Sequence, residues 1–193
     1  MTKSELRKIY LEKQKALSDT ERGEKSRRIA DYYFENFGLT KIGFLHVFLP
    51  IEKNGEIDTF SLVNRLWRNS PTTVTVASRV DFETMTLENL RFDAAAKYTV
   101  NRWHIPEPIG NKTIEIKRID AVLIPLLCFD TCGFRVGYGK GFYDKFLSAC
   151  RKDCLKIGLS YFTPVAEISD AQSFDVKLDF CITPEEIFNW RER

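Results

Sequence analysis

Three glycines at alternate positions, Gly137, Gly139 and Gly141, stand with Arg135 and Lys140 between an apolar run that starts at Ala121 and a helical pattern that ends near Arg151. A strand, a glycine turn and a helix make an anion site. The glycines let the backbone turn tightly and bring its N–H groups close to a phosphate, and the helix presents its positive end. Lys140 and Arg135 add full charges. Neither standard nucleotide pattern is present, because no Gly-Lys-Ser/Thr ending completes a P-loop and the spacing is not G-x-G-x-x-G. On the glycines alone, a flexible loop with a solvated lysine explains the run equally well. Asp144 falls in the first turn of the following helix, where a carboxylate suits the helix dipole with or without a ligand. Lys3 and Arg7 are four positions apart, so one helical face carries both cations, although a solvated basic terminus would show the same spacing. Leu49 and Glu56 flank the loop after the first apolar strand, where ligands of open α/β sheets collect beyond the strand ends. Taken alone, Glu56 also reads as a surface acid. His46 sits inside an apolar strand and reads as a packed core residue. His104, beside Trp103 in a loop, is open to packing or ligand contact. Two histidines and no G-x-S-x-G motif give little support to a Ser-His-Asp hydrolase.

The elements that position these residues are legible from periodicity. Residues 3–17 place Leu6, Tyr10 and Leu17 on one helical side, with Ile9 beside them. Ser18 with Glu21 reads as a capping box for a second helix carrying Ile29, Tyr33 and Phe37 at intervals of four, with Gly38 as its stop. Residues 42–49 are almost continuously apolar, as in a parallel strand covered on both faces, and Pro50 ends them. Asp58 caps a helix over 59–67. Further strands are expected at 73–77, 84–87, 90–92, 121–124, 156–160 and 178–183, with helical patterns between several of them implying βαβ units. Residues 101–117, with Pro106, Pro108 and Gly110, read as a long loop over the strand edges.

The chain has 193 residues, 44% of them hydrophobic, enough to bury roughly 70% of the surface its unfolded form would expose. No repeat, low-complexity tract or linker divides it, so residues 1–193 are expected to form a single domain. Lys and Arg number 29 against 27 Asp and Glu, a net charge of +2 that is too balanced for a nucleic-acid coat. The charged start MTKSELRKIYLEKQKAL lacks the apolar core of a signal peptide, and no apolar run approaches the ~20 residues of a membrane span. Five cysteines, an odd and scattered set, are expected to be reduced thiols. These features point to a cytoplasmic protein with no nucleic acid and no membrane among its partners; small-molecule partners and a monomer are also expected.

The whole run PLLCFDTCGFRVGYGKGFYDKFL resembles the signature of the 5-formyltetrahydrofolate cyclo-ligase family. Pro125, Asp130, Gly133, Arg135, Gly137, Gly139, Gly141, Tyr143 and Asp144 fit that signature, while Val136 replaces a usual leucine and Phe142 a common tyrosine. Further matches are the Lys3/Arg7 pair, the passage FLPIEKNGEIDT, the loop Trp103-His104-Ile105-Pro106-Glu107-Pro108 and a late aspartate. The resemblance implies a three-layer α/β fold, a mostly parallel sheet flanked by helices, similar to sugar-phosphate isomerases and CoA-transferases. It implies closure of 5-formyltetrahydrofolate to 5,10-methenyltetrahydrofolate, driven by ATP with magnesium, releasing ADP and phosphate.

By the same resemblance Lys140 and Arg135 act in catalysis. Lys3, Arg7, Arg135, Gly137, Tyr138, Gly139, Lys140, Gly141, Phe142 and Tyr143 meet ATP. Arg7, Leu49, Glu56, Tyr138, Gly139, Lys140, Gly141 and Phe142 meet the folate, with Glu56 facing the pterin. Asp144 and Asp179 hold magnesium. Phe174 stands where relatives often carry histidine, and the loop 52–55 is longer than in some of them. Two alternatives remain open on the residues alone: a phosphosugar isomerase or CoA-transferase-like enzyme on the same scaffold, or a non-catalytic folate- or nucleotide-binding protein.

Overall fold

In a computed structural model, which describes residues 1–37 and 42–191, two helices precede a mixed α/β arrangement. Helix α1 (Lys3–Ala16) is opened by a capping box in which Thr2 and Glu5 bond each other's backbone N–H. Helix α2 (Asp19–Asn36) opens with the expected Ser18/Glu21 box. The stop expected at Gly38 lies outside the described residues. Strand β1 (Phe44–His46) leads through α3 (Thr59–Asn69), capped by Asp58, to β2 (Val74–Asp81) and its antiparallel neighbour β3 (Thr86–Arg91). After the ribbon β4 (Lys97–Val100) and β5 (Pro106–Ile109) come β6 (Ala121–Pro125) and a small hairpin, β7 (Cys128–Phe129) with β8 (Arg135–Val136). Helix α4 (Phe142–Ala149), β9 (Leu155–Leu159), β10 (Phe180–Ile182) and β11 (Ile187–Asn189) complete the order.

Among the described residues seven strands form one sheet, in the order β11-β10-β9-β6-β1-β2-β3. Its five inner strands run parallel, and the two edge strands are antiparallel. The alternation along β6 shows why the sheet is the middle of three layers. Ala121 and Leu123 point into the core shared with α2 and α3, whereas Val122 and Ile124 join Phe146 and Leu147 of α4. Both crossovers, β1-α3-β2 and β6-α4-β9, therefore cover opposite faces, and the expected fold class holds. Among the described residues no helix is long and apolar enough to cross a membrane.

Three local expectations need correction. The strand expected over 42–49 is reduced to β1, because beyond Val47, which still donates to the Val76 carbonyl at 2.8 Å, the chain turns toward α3. There the Phe48 carbonyl accepts the Thr59 hydroxyl at 2.5 Å. The two strands expected at 84–87 and 90–92 are one, β3, with Thr84 in the turn whose amides Asp81 caps. The stretch 101–117 is not all loop, since β5 pairs with β4. Pro106 and Pro108 are two apart, so their missing N–H groups fall on one edge of β5, which a two-stranded ribbon tolerates.

Candidate active site

A cavity of about 450 Å³ opens beyond the carboxyl ends of β1, β2 and β6, where Leu49, Val80 and Pro125 line it. That is the usual place and size for a small-molecule site on such a sheet. The glycine turn forms one wall. Asp130, buried at its start, accepts the N–H groups of Cys132 at 2.9 Å, Phe134 at 3.0 Å and Ile168 at 3.2 Å, which folds the hairpin that presents Arg135. Gly139 and Gly141 have φ of 86° and 74°, left-handed values that other residues adopt at a cost. Gly141 is the N-cap of α4 and supplies no side-chain bond, so the first amides of that helix face the cavity wall uncapped.

One face of α1 holds this turn in place. The Arg7 Nε donates to the Gly137 carbonyl at 2.9 Å, and the guanidinium packs so closely on Gly139 that a Cβ there would lie 3.1 Å from it. Lys3 pairs with Asp175 at 2.5 Å, and both line the cavity. Arg135 is almost fully buried. One of its nitrogens donates to Asp144 at 2.7 Å and another to the Val176 carbonyl, so a single guanidinium joins α4 to the segment carrying Asp175. Lys140 is exposed at the cavity rim and makes no salt bridge among the described residues.

An adjoining wall is formed by the turn after β1. Glu56 accepts the Ile51 N–H at 2.7 Å, and desolvation raises its carboxyl to about 7, against the lowering effect of that bond and of the Tyr138 hydroxyl. Burial pushes the Tyr138 and Tyr143 phenols far above their ordinary range. His46 is buried and held neutral, its pKa driven down to about 3 by desolvation. Its Nε2 meets the Ser78 hydroxyl at 2.8 Å, while Nδ1 is buried with no partner among the described residues. His46 is thus the packed histidine expected, and it also lines the cavity. Trp103 lines it too, tilted against Phe82 with ring centroids 3.8 Å apart, whereas His104 sits exposed in a left-handed turn outside the lining.

The structure brings together Lys3, Arg7, Leu49, Glu56, Arg135, Gly137, Tyr138, Gly139, Lys140, Gly141, Phe142, Tyr143 and Asp144 around one space. Asp179 is the exception and requires a correction. It lies at the amino end of β10, at the opposite end of the parallel strands from the cavity, where its carboxylate accepts the Lys156 backbone N–H at 2.8 Å and pairs with Lys156 Nζ at 3.2 Å. The acid that reaches the cavity is Asp175. Both aspartates stand in the segment FDVKLDF, and only the placement of β10 separates them. Phe174 is 77% exposed and contributes nothing to the lining. Sequence reasoning also missed Phe82 on the walls, which stands in no motif, and Lys53 and Asn54, which stand in the passage FLPIEKNGEIDT without a role assigned to them.

The sequence matches the profile described as the 5-formyltetrahydrofolate cyclo-ligase family over residues 1–184. A 5-formyltetrahydrofolate cyclo-ligase of Escherichia coli K12 is 29% identical over 147 residues, covering 75% of this chain and 79% of that protein. One from Mycoplasma genitalium is 41% identical over 73 residues, 38% of this chain and 44% of its own. The solution structure of Aquifex aeolicus 5,10-methenyltetrahydrofolate synthetase superposes with a TM-score of 0.84 at 26% identity, covering 100% of this chain and 95% of that one.

Proposed function

The chain belongs to the 5-formyltetrahydrofolate cyclo-ligase family, an enzyme family of ligases, and from that premise we propose that it closes 5-formyltetrahydrofolate to 5,10-methenyltetrahydrofolate at the expense of ATP. The observation that carries this reading is that a cation-lined glycine turn and the desolvated Glu56 carboxyl line one cavity. A formamide carbonyl is a poor electrophile, and its oxygen would leave slowly as hydroxide. Transfer of the ATP γ-phosphoryl to that oxygen makes it a phosphate leaving group. The other folate nitrogen then attacks the formyl carbon, the C–O bond breaks, and the methenyl ring forms with release of ADP and phosphate.

In such a transfer the protein supplies position and charge. Lys140, Arg7, Lys3 and the amides of 137–143 would hold the phosphates, with Arg135 fixing the turn and neutralising nearby charge. Leu49, Phe142 and Tyr138 would bound the folate, and Glu56 would accept hydrogen bonds from the pterin donors. Asp144 and Asp175 offer hard carboxylate oxygens on the same cavity, a donor set that suits magnesium together with phosphate oxygens. Bound there, the ion would neutralise phosphate charge. We further propose that residues 1–193 work as a single domain and as a monomer.

The test is spectrophotometric. Purified protein with 5-formyltetrahydrofolate and magnesium should generate methenyl absorbance only when ATP is added, with one ADP formed per product. Tight binding of both ligands without ADP would identify a non-catalytic binder instead.

A further inference from the structure

Helix α1 buries one polar side chain completely on the face that meets the cavity walls. Gln14 is 3% exposed, and its amide nitrogen donates twice. One bond goes to the Asn54 carbonyl at 2.8 Å, in the turn that carries Glu56, and the other to the Tyr138 hydroxyl at 3.0 Å, in the glycine turn. Asn54 and Tyr138 both line the cavity. Packing tightens the same junction, since Gly55, at φ 66°, lies so close to α1 that a Cβ would be 3.3 Å from the Gln14 carbonyl. With its oxygen accepting from Gln14, the Tyr138 hydroxyl is free to turn its proton elsewhere. It approaches the Glu56 carboxyl, without the geometry of a full hydrogen bond.

We infer that Gln14 is a positioning residue that clamps the turn carrying Glu56 to the glycine turn, so that the two ligand-bearing walls of the cavity are set as one unit. Burying a primary amide is costly unless its donors are used, and here the N–H groups are spent one on each of two adjoining walls. A ligand that orders either wall should therefore lower the ordering cost at the other, which is positive and reciprocal coupling between two sites. The inference rests on the proposed activity for the identity of the two ligands.

The experiment measures the dissociation constant of 5-formyltetrahydrofolate with and without a saturating non-hydrolysable ATP analogue and magnesium. The wild type should bind the folate at least about fivefold more tightly when the analogue is present, the lower end of typical couplings. Gln14→Met keeps volume and helix propensity but removes both donors, and should bring that ratio close to one. Tyr138→Phe removes only one arm of the clamp and should reduce the ratio likewise. The double variant should lose no more than Gln14→Met alone, because both act on one connection. A side chain that merely stabilised α1 would lower the melting temperature and leave the ratio intact. A wild-type ratio near one, or an undiminished ratio in Tyr138→Phe, overturns the inference, and the latter reading stands even if Gln14→Met does not fold. Failure of the wild type to bind either ligand would instead strike the proposed function.

Discussion

Replacing Glu56 by Gln should make the protein more stable at neutral and alkaline pH while making it a poorer enzyme. Desolvation moves the Glu56 carboxyl from its ordinary 4.5 to about 7. Between those values the unfolded chain has released a proton that the folded chain still holds, so stability falls as pH rises from about 4.5 through about 7 and levels off above. At about 1.4 kcal/mol per pH unit, the full penalty is about 3 kcal/mol, a ceiling because the carboxyl opens on the cavity. A glutamine cannot ionise, yet it can still accept the Ile51 N–H that the carboxylate accepts at 2.7 Å. Urea unfolding of Glu56→Gln and wild type, followed by tryptophan fluorescence, should therefore give nearly equal stabilities at pH 4.5 and a gain for the variant of up to about 3 kcal/mol at pH 8. Two curves that stay parallel across that range would refute the reasoning, since the carboxyl would then titrate alike in both states. If Glu56 faces the pterin as proposed, the same substitution should raise the KM for 5-formyltetrahydrofolate, because a carboxylate can accept two hydrogen bonds where an amide offers one acceptor and one donor.

Lys140→Ala should leave the melting temperature unchanged and lower turnover by about two to three orders of magnitude, the scale for losing one charge-stabilising contact; near-normal turnover would return Lys140 to a solvated loop. Asp144→Asn and Asp175→Asn should each raise the magnesium needed for half-maximal activity and combine non-additively, as magnesium titrations of the single and double variants would show. Asp179→Asn should leave the magnesium curve in place and cost about 1 kcal/mol of stability through its weakened bonds to Lys156. Gly139→Ala should weaken ATP binding about tenfold or more in a direct titration, because φ of 86° is strained for alanine and the new Cβ presses on Arg7.

What was legible in the sequence follows the range of the physics involved. Capping boxes, the Asp58 cap and the αL glycines are settled within a few residues of themselves, so Ser18 with Glu21 and Gly139 with Gly141 could be read directly. Strand ends are different. The apolar run 42–49 is buried over 45–49, but only three of its residues form β1, because ladder bonds depend on where β2 and β6 run beside it. Periodicity registers burial and cannot separate a strand from a buried passage beside one. Likewise β5 hides behind two prolines that look like loop residues until β4 is known to lie on their permissive side.

The site divides along the same line. Its glycine turn is contiguous, and the residues around it came into view together with Asp144. Its second acid did not, because Asp175 and Asp179 stand four apart in a segment without regular structure and are equally plausible as text. Two long-range bonds decide between them. Lys156 lies beside Asp179 because β9 pairs with β10, whereas Lys3, far along the chain, reaches Asp175 from α1. Gln14 was invisible for the same reason, since a glutamine on a charged amphipathic helix carries no signal until its two acceptors, contributed by separate loops, are placed on either side of it. Helix α1 therefore does more than cover the sheet. Lys3, Arg7 and Gln14, spaced along one of its faces, touch the Asp175 segment, the glycine turn and the Glu56 turn in that order. A substitution that shifts α1 along its axis should disturb all three at once, without altering any residue of the glycine motif.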